Sequence, residues 1–432
     1  MKRDLLRNLE AWKSHPLRLP LILRGARQVG KSWLIKEFGN QFKHYVALNF
    51  EKDKDACTLF PESIQIESIV QQIGYYSGQV IEPGKTLLFL DEIQECPNAL
   101  RALRYFKEDL PQLHVIAAGS LLDFMIEKLG LPVGRVQFLY LYPLSFAEFL
   151  TALGREDLRE MLMSAFPQAA IHKQLLEMVK LYSLIGGMPA VVSAWLQYEN
   201  ALYCQEVQDA IINTYRQDFN KYAHSNQIEY VSLLFDKIPD QLGKKFIYTH
   251  VDEHITFYHL KQAMRLLHKA GIVYFCYHSA AQGIPLGAGK NLKKFKIFFF
   301  DIGLAQRILG VKLQDWVVQP LLPQHDGSIA EQFVAQEFIA YGSPSAPAEL
   351  YYWHREAKSS NAEVDFIVTK RGSIIPVEVK SGKSGHVKSL QIFLESHPCS
   401  ADPIIISTAE YQLSHYRYQQ IPCFGIEAWF KK

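Results

Sequence analysis

Residues Gly25-Ala26-Arg27-Gln28-Val29-Gly30-Lys31-Ser32 fit the pattern G-x-x-x-x-G-K-[ST] at every fixed position. Nothing else in the chain constrains the fold as strongly, because the pattern works only between a buried strand and a helix. That context is present: the apolar run LPLILR precedes it and SWLIKEF, with helical spacing, follows. The glycines, Gly25 and Gly30, let backbone N–H groups curl around phosphate oxygens, and the helix N-terminus adds partial positive charge. Lys31 is expected to reach the β and γ phosphates and the Ser32 hydroxyl to ligate Mg²⁺, so ATP and Mg²⁺ are the expected cofactors.

A metal held by one serine needs a carboxylate as well. The strand-like run TLLFLDE ends in Asp91 and Glu92. Asp91 is read as the metal partner and Glu92, one residue further, as the group that polarises an attacking water. The next apolar run, HVIAAGS, ends at Gly119-Ser120. Ser120 is either a sensor beside the γ-phosphate or the N-cap of the helix that follows. Arg135 lies in a loop after Gly134. It reads as an arginine finger, in cis or from a neighbouring subunit, or as a surface arginine.

With 432 residues the chain is too long for one ordinary core. The runs LPLILRG, YVALNF, TLLFLDE and LHVIAAGS alternate with helical sequence, the pattern of an α/β domain with a mostly parallel sheet. Residues 1–145 are read as that core and residues 146–205, helical without strands, as a lid on it. Residues 206–300 remain helical until HLKQAMRLLHKA gives way at Gly271 to IVYFCY and KKFKIFFFD. A helix followed by a two-stranded ribbon reads as a winged-helix module or as a helix-hairpin connector. Residues 301–432, helix then strands then helix then strand, form a second α/β unit.

That unit carries its own acidic set. Glu378 and Lys380 alternate onto one strand face, and Asp365 on the preceding strand can pair across from them. Glu331, on the helix IAEQFVAQEF, can join them. Three carboxylates and a lysine suit a Mg²⁺ site for phosphodiester cleavage, with Asp365 and Glu378 as metal ligands. An edge hairpin with solvated charges is the plainer reading. Lys290, Lys293, Lys294 and Lys296 fall where a wing would turn; they read as phosphate contacts or as a solvated hairpin. Net charge is only +2, so DNA as a partner cannot be argued from bulk charge. No apolar run is long enough to cross a membrane, and the N-terminus lacks the apolar stretch of a signal peptide, so a cytoplasmic location is expected. The six cysteines are widely spaced and read as reduced thiols.

Together GARQVGKS, LLFLDEIQ, AAGS, PVGR…LYPLSFAEFL, IGGMPAVV, FFFDIGL and EVDFIV…IPVEVKSG resemble the bacterial and archaeal AAA+ ATPases that carry a C-terminal domain of unknown function. That domain resembles the PD-(D/E)XK restriction-endonuclease-like fold. The resemblance runs from about Pro20 to Ser381. It implies a nucleotide site at Lys31, Ser32, Asp91 and Glu92, and a nuclease-type site at Glu331, Asp365, Glu378 and Lys380. Val364 stands where the eponymous motif has proline. Two functions follow as expectations. One is an ATPase that binds and processes DNA through the nuclease-like unit. The other is an ATP-driven switch whose C-terminal unit is a non-cleaving module for DNA or protein. A second copy of the chain is a further expected partner.

Overall fold

The computed structural model describes residues 1–432 except 121, 123, 126–133, 165–166, 312–326, 356–361, 383–386 and 414–417. Strands β1 (Leu21–Arg24), β2 (His44–Asn49), β3 (Thr86–Asp91), β4 (His114–Ala118) and β5 (Gln137–Tyr140) form one sheet in the order β2-β3-β4-β1-β5. Each pairing in it is parallel. Every residue of β3 and β4 is buried, which is why these strands are unbroken apolar runs rather than alternating ones. The order places β3, β4 and β1 side by side, so the loops leaving their carboxyl ends share one edge.

One face of this sheet, through Val46, Leu48, Leu88, Leu90, Val115 and Ala117, packs with Ile69 and Ile73 of helix Ile66–Ser77 and with Leu103 and Phe106 of helix Pro97–Asp109. Pro97 starts its helix at the position where a missing N–H costs nothing. On the same side Cys57 is disulfide-bonded to Cys96, 39 residues away. The expectation of reduced thiols therefore fails for this pair. Cys57 sits in a 3₁₀ turn and Cys96 at a helix start, and only the packing of both onto the sheet brings them together. Cys204, Cys276 and Cys423 are buried free thiols and Cys399 an exposed one.

The chain divides into two compact units, the first being residues 1–142 with 269–271 and 343–347. The second holds a sheet of eight strands in the order β12-β13-β11-β10-β9-β8-β6-β7. These are β6 (Val273–Ser279), β7 (Lys290–Phe299), β8 (Leu350–His354), β9 (Glu363–Lys370), β10 (Ser373–Val379), β11 (Ile404–Ser407), β12 (Gln412–Leu413) and β13 (Gln419–Pro422). β8, β9 and β10 run antiparallel to their neighbours in succession, and β10 pairs parallel with β11. Leu390 and Phe393 of helix Lys388–Ser396 bury against Val364, Ile367 and Ile374. Each such side chain contributes roughly 1.5–3 kcal/mol. Helix Gly327–Tyr341 is buried on nearly all sides, and its polar residues are paired. Gln332 accepts from Phe299 N (2.8 Å) and donates to Phe299 O (2.7 Å), acting as an extra rung on the edge strand β7.

Two features depart from the expected division. β6 and β7 are not a free ribbon: β6 pairs parallel with β8, Cys276 opposite Leu350, so the 300/301 boundary runs through one sheet. The helices of 146–205 belong to the second unit rather than to the phosphate-loop core. Buried acceptors from later in the chain hold them there: Glu337 takes Phe146 N (2.9 Å) and Asp301 takes Gly187 N (2.7 Å). Neither acceptor is visible from the helical segment's own apolar pattern. Among the described residues no helix is long and apolar enough to cross a membrane.

Candidate functional site

The loop after β1 turns at Gly25, whose φ is +150° and whose added Cβ would lie 2.2 Å from Leu141 O. Only a hydrogen fits there. Gly30, at φ 97°, caps helix Lys31–Gly39 from the left-handed region. The Lys31 ammonium is buried and donates to the carbonyls of Gly25 and Ala26, 2.9 Å each, so it is held against the loop itself. Burial pulls its pKa down to about 8, against the opposing charges of Glu92 and Asp91. Ser32 Oγ donates to Asp91 Oδ2 at 2.9 Å, across from the end of β3. A hydroxyl and a carboxylate in contact beside a phosphate-binding turn are the donor set that Mg²⁺ takes, and these residues fit the ion. Burial raises the Asp91 carboxyl above its ordinary range, with Glu92 adding to the rise against hydrogen bonds from Ser32 and Asn49.

Three neighbours escaped the sequence reading or entered it only as part of a motif. Asn49 ends β2 in register with Asp91, and its Nδ2 donates to Asp91 Oδ2 at 3.0 Å. Its signal is a polar residue closing the apolar run YVAL. Glu92 has φ 48°, a left-handed conformation costing a non-glycine residue about 1 kcal/mol. Gln94 Nε2 donates to Glu92 Oε2 at 2.6 Å. The Gln94 side-chain oxygen Oε1 reaches so far towards Gly119 that a Cβ there would lie 2.0 Å from it. Gly119 is thus fixed by Gln94, and Gln94 by Glu92.

Ser120 follows β4 at the carboxyl edge, between the ends of β1 and β3, where a sensor would stand. The helix it was read as capping lies partly outside the described residues. Arg135 is elsewhere. It precedes β5, whose first residue Gln137 pairs with Leu21, the first residue of β1. β1 has four residues, so roughly 13 Å of strand separate that edge from the phosphate loop. There Arg135 Nε bonds Glu108 Oε1 at 2.9 Å, which removes it from the nucleotide site of its own chain.

The second constellation is gathered in the second unit. Asp365 Oδ2 accepts from Val379 N at 2.8 Å, and Lys380 Nζ lies 2.6 Å from Glu378 Oε1. Glu331 joins through a residue assigned elsewhere. Lys296 is 1% exposed, and its ammonium lies 2.9 Å from Glu331 Oε2, 2.8 Å from Glu363 Oε1 and 3.5 Å from Asp365 Oδ1. Lys296 is therefore no wing lysine. Lys290, also placed there, pairs with Glu349 at 3.1 Å. Burial pulls the Lys296 ammonium down, but Glu331, Asp365 and Glu363 outweigh it and hold its pKa well above the ordinary value. One ammonium does not balance three carboxylates, and burial followed by Asp365 pushes the Glu331 carboxyl up. Glu363 was legible by alternation, two residues before Asp365; Lys296, inside an aromatic run, was not.

A divalent ion does not fit this second set. The position facing Glu331, Glu363 and Asp365 holds the Lys296 ammonium, and among the described residues no group of three or more His, Cys, Asp or Glu is placed to hold a metal.

Residues 18–150 match the family model described as "AAA domain". Residues 176–315 and 326–424 match two models described as domains of unknown function, DUF8612 and DUF4143. The Walker-type ATPase PABY2304 of Pyrococcus abyssi is similar at 15% identity, with 72% of this chain and 96% of that one covered and a TM-score of 0.45. Protein VC1899 from Vibrio cholerae is similar at 10% identity, covering 95% and 98%, with a TM-score of 0.18. No curated protein matches the chain.

Proposed function

We propose that this chain is an ATP-driven conformational switch, starting from the premise that residues 18–150 are an AAA-type ATPase domain. The observation that carries the reading is the Ser32–Asp91 contact beside the buried Lys31. The loop amides and Lys31 would bind the triphosphate, the lysine exchanging its two loop carbonyls for phosphate oxygens. Mg²⁺ held by Ser32 and Asp91 would neutralise charge on those oxygens. Asn49 would keep the Asp91 carboxylate oriented, as partners of metal ligands do. Glu92, fixed by Gln94, would orient the attacking water and take its proton. Ser120, following β4 at the same edge, would sense the terminal phosphate.

DNA is the partner proposed for the second unit. Lys293 and Lys294, at the start of β7 in the β6–β7 hairpin, would contact DNA phosphates. Of the two readings of that unit, the Lys296 ion pairs favour the non-cleaving module over the Mg²⁺-dependent nuclease. Labelled DNA titrated with protein in its apo, ATP and ADP states tests the switch. An affinity that differs at least fivefold between nucleotide states is expected, with the difference lost in Lys31→Ala. Equal affinity in all three states sinks the switch. Mg²⁺-dependent cleavage that vanishes in Glu378→Ala sinks the non-cleaving reading.

A further inference from the structure

We infer that Lys296 is an internal counter-cation standing where a nuclease-type site would hold its divalent ion, so that the second unit takes no metal while the lysine is in place. This rests on the non-cleaving reading of that unit and gives it a cause. In formal charge, Glu331, Asp365, Glu378 and Lys380 alone sum to −2, the charge that one divalent cation balances. The structure adds Lys296 and Glu363 to that set, with Lys245 3.7 Å from Glu363 on the other side. Four carboxylates then face three ammonium groups. The excess falls to one, and most of the cation's work is done by the chain.

Geometry points the same way as charge. Lys296 comes from β7, Glu331 from helix Gly327–Tyr341, and Glu363 and Asp365 from β9, so a single ammonium ties three elements together. A lysine has three N–H donors, and three carboxylates surround this one. The remaining acidic group is occupied as well, since Glu378 Oε1 pairs with Lys380. Glu378 Oε2 is buried and has no hydrogen-bond partner among the described residues. It is a ready ligand once the ammonium is removed. The sequence supports a fixed position for the lysine: it lies between Phe295 and Ile297, in a strand that turns wholly buried from Lys296 onwards.

The test uses the full-length protein without nucleotide and Mn²⁺ as the probe. Wild type, Asp365→Asn, Lys296→Met and the Lys296→Met/Asp365→Asn double variant are titrated calorimetrically and by electron paramagnetic resonance of free Mn²⁺. Wild type and Asp365→Asn are expected to give the same isotherm. Lys296→Met is expected to gain one Mn²⁺ site at least tenfold tighter than any in wild type, and the double variant to lose it. If Lys296→Met fails to fold, millimolar Mn²⁺ is expected to restore its circular dichroism and melting transition, because the ion replaces the lost charge. Mn²⁺ bound by wild type and lost in Asp365→Asn overturns the inference. So does a Lys296→Met protein that neither gains a site nor is rescued. DNA cleavage is scored separately. Absence of cleavage together with no gained site defeats the counter-cation while leaving the non-cleaving reading intact.

Discussion

Replacing Lys31 by methionine should make the nucleotide-free protein respond to pH in a way no other loop substitution would. The native fold holds this ammonium at about 8 against an ordinary 10.5. At about 1.36 kcal/mol per pH unit that is a penalty of about 3 kcal/mol on folding at neutral pH. Between pH 8 and 10.5 the unfolded chain binds more protons than the native one, so this contribution raises stability as pH rises through that window. Methionine removes the penalty but also the bonds to Gly25 O and Ala26 O, worth about 1 kcal/mol each. Lys31→Met should therefore be more stable than wild type by about 1 kcal/mol at pH 7 and less stable by about 2 kcal/mol near pH 10.5. Urea denaturation of both proteins, with stability differences taken at matched pH, reads the crossover. A difference that stays flat from pH 7 to 10.5 refutes the reasoning, because the ammonium would then not be desolvated. Saturating Mg·ATP completes the assay. At one hundred times its dissociation constant ATP should stabilise wild type by about 2.7 kcal/mol and leave the variant unmoved.

Glu92→Gln should keep ATP binding within a few-fold and lower the hydrolysis rate by about 10²–10⁴; turnover near wild type in a phosphate-release assay would remove Glu92 from the chemistry. Arg135→Ala should leave hydrolysis within twofold, because Arg135 pairs with Glu108 at the opposite edge from the phosphate loop. A hundredfold loss of turnover would instead make it a finger supplied by another copy of the chain. Breaking the Cys57–Cys96 bridge, which closes 39 residues of sequence, should lower the stability of the first unit by up to about 4 kcal/mol. Thermal melts with and without dithiothreitol check this, and identical curves would contradict it.

The candidate nucleotide site is readable because its parts are local. A turn, a lysine and a serine lie in eight consecutive residues, and Asp91 and Glu92 mark the end of an apolar run. What was not readable depends on register between strands. Asn49 matters only because β2 and β3 align it with Asp91, and Arg135 reads equally as a finger or a surface arginine because nothing local says at which end of a parallel sheet a loop lies. The acidic set of the second unit was legible by alternation on β9 and β10, whereas its cation was not. Lys296 comes from a hairpin whose membership of the same sheet is fixed by the pairing of Cys276 with Leu350. The helices of 146–205 were assigned to the wrong unit for a similar reason. An apolar helix face states that it will be covered, and Glu337 and Asp301 decide by what.

The pairing of β6 with β8 also governs how this protein can be cut. A fragment starting at residue 301 would discard two outer strands and leave the N–H and C=O groups along β8 open to any passing chain, a recipe for precipitation. A shortened version that stays in solution must begin early enough to carry Val273–Phe299 with it.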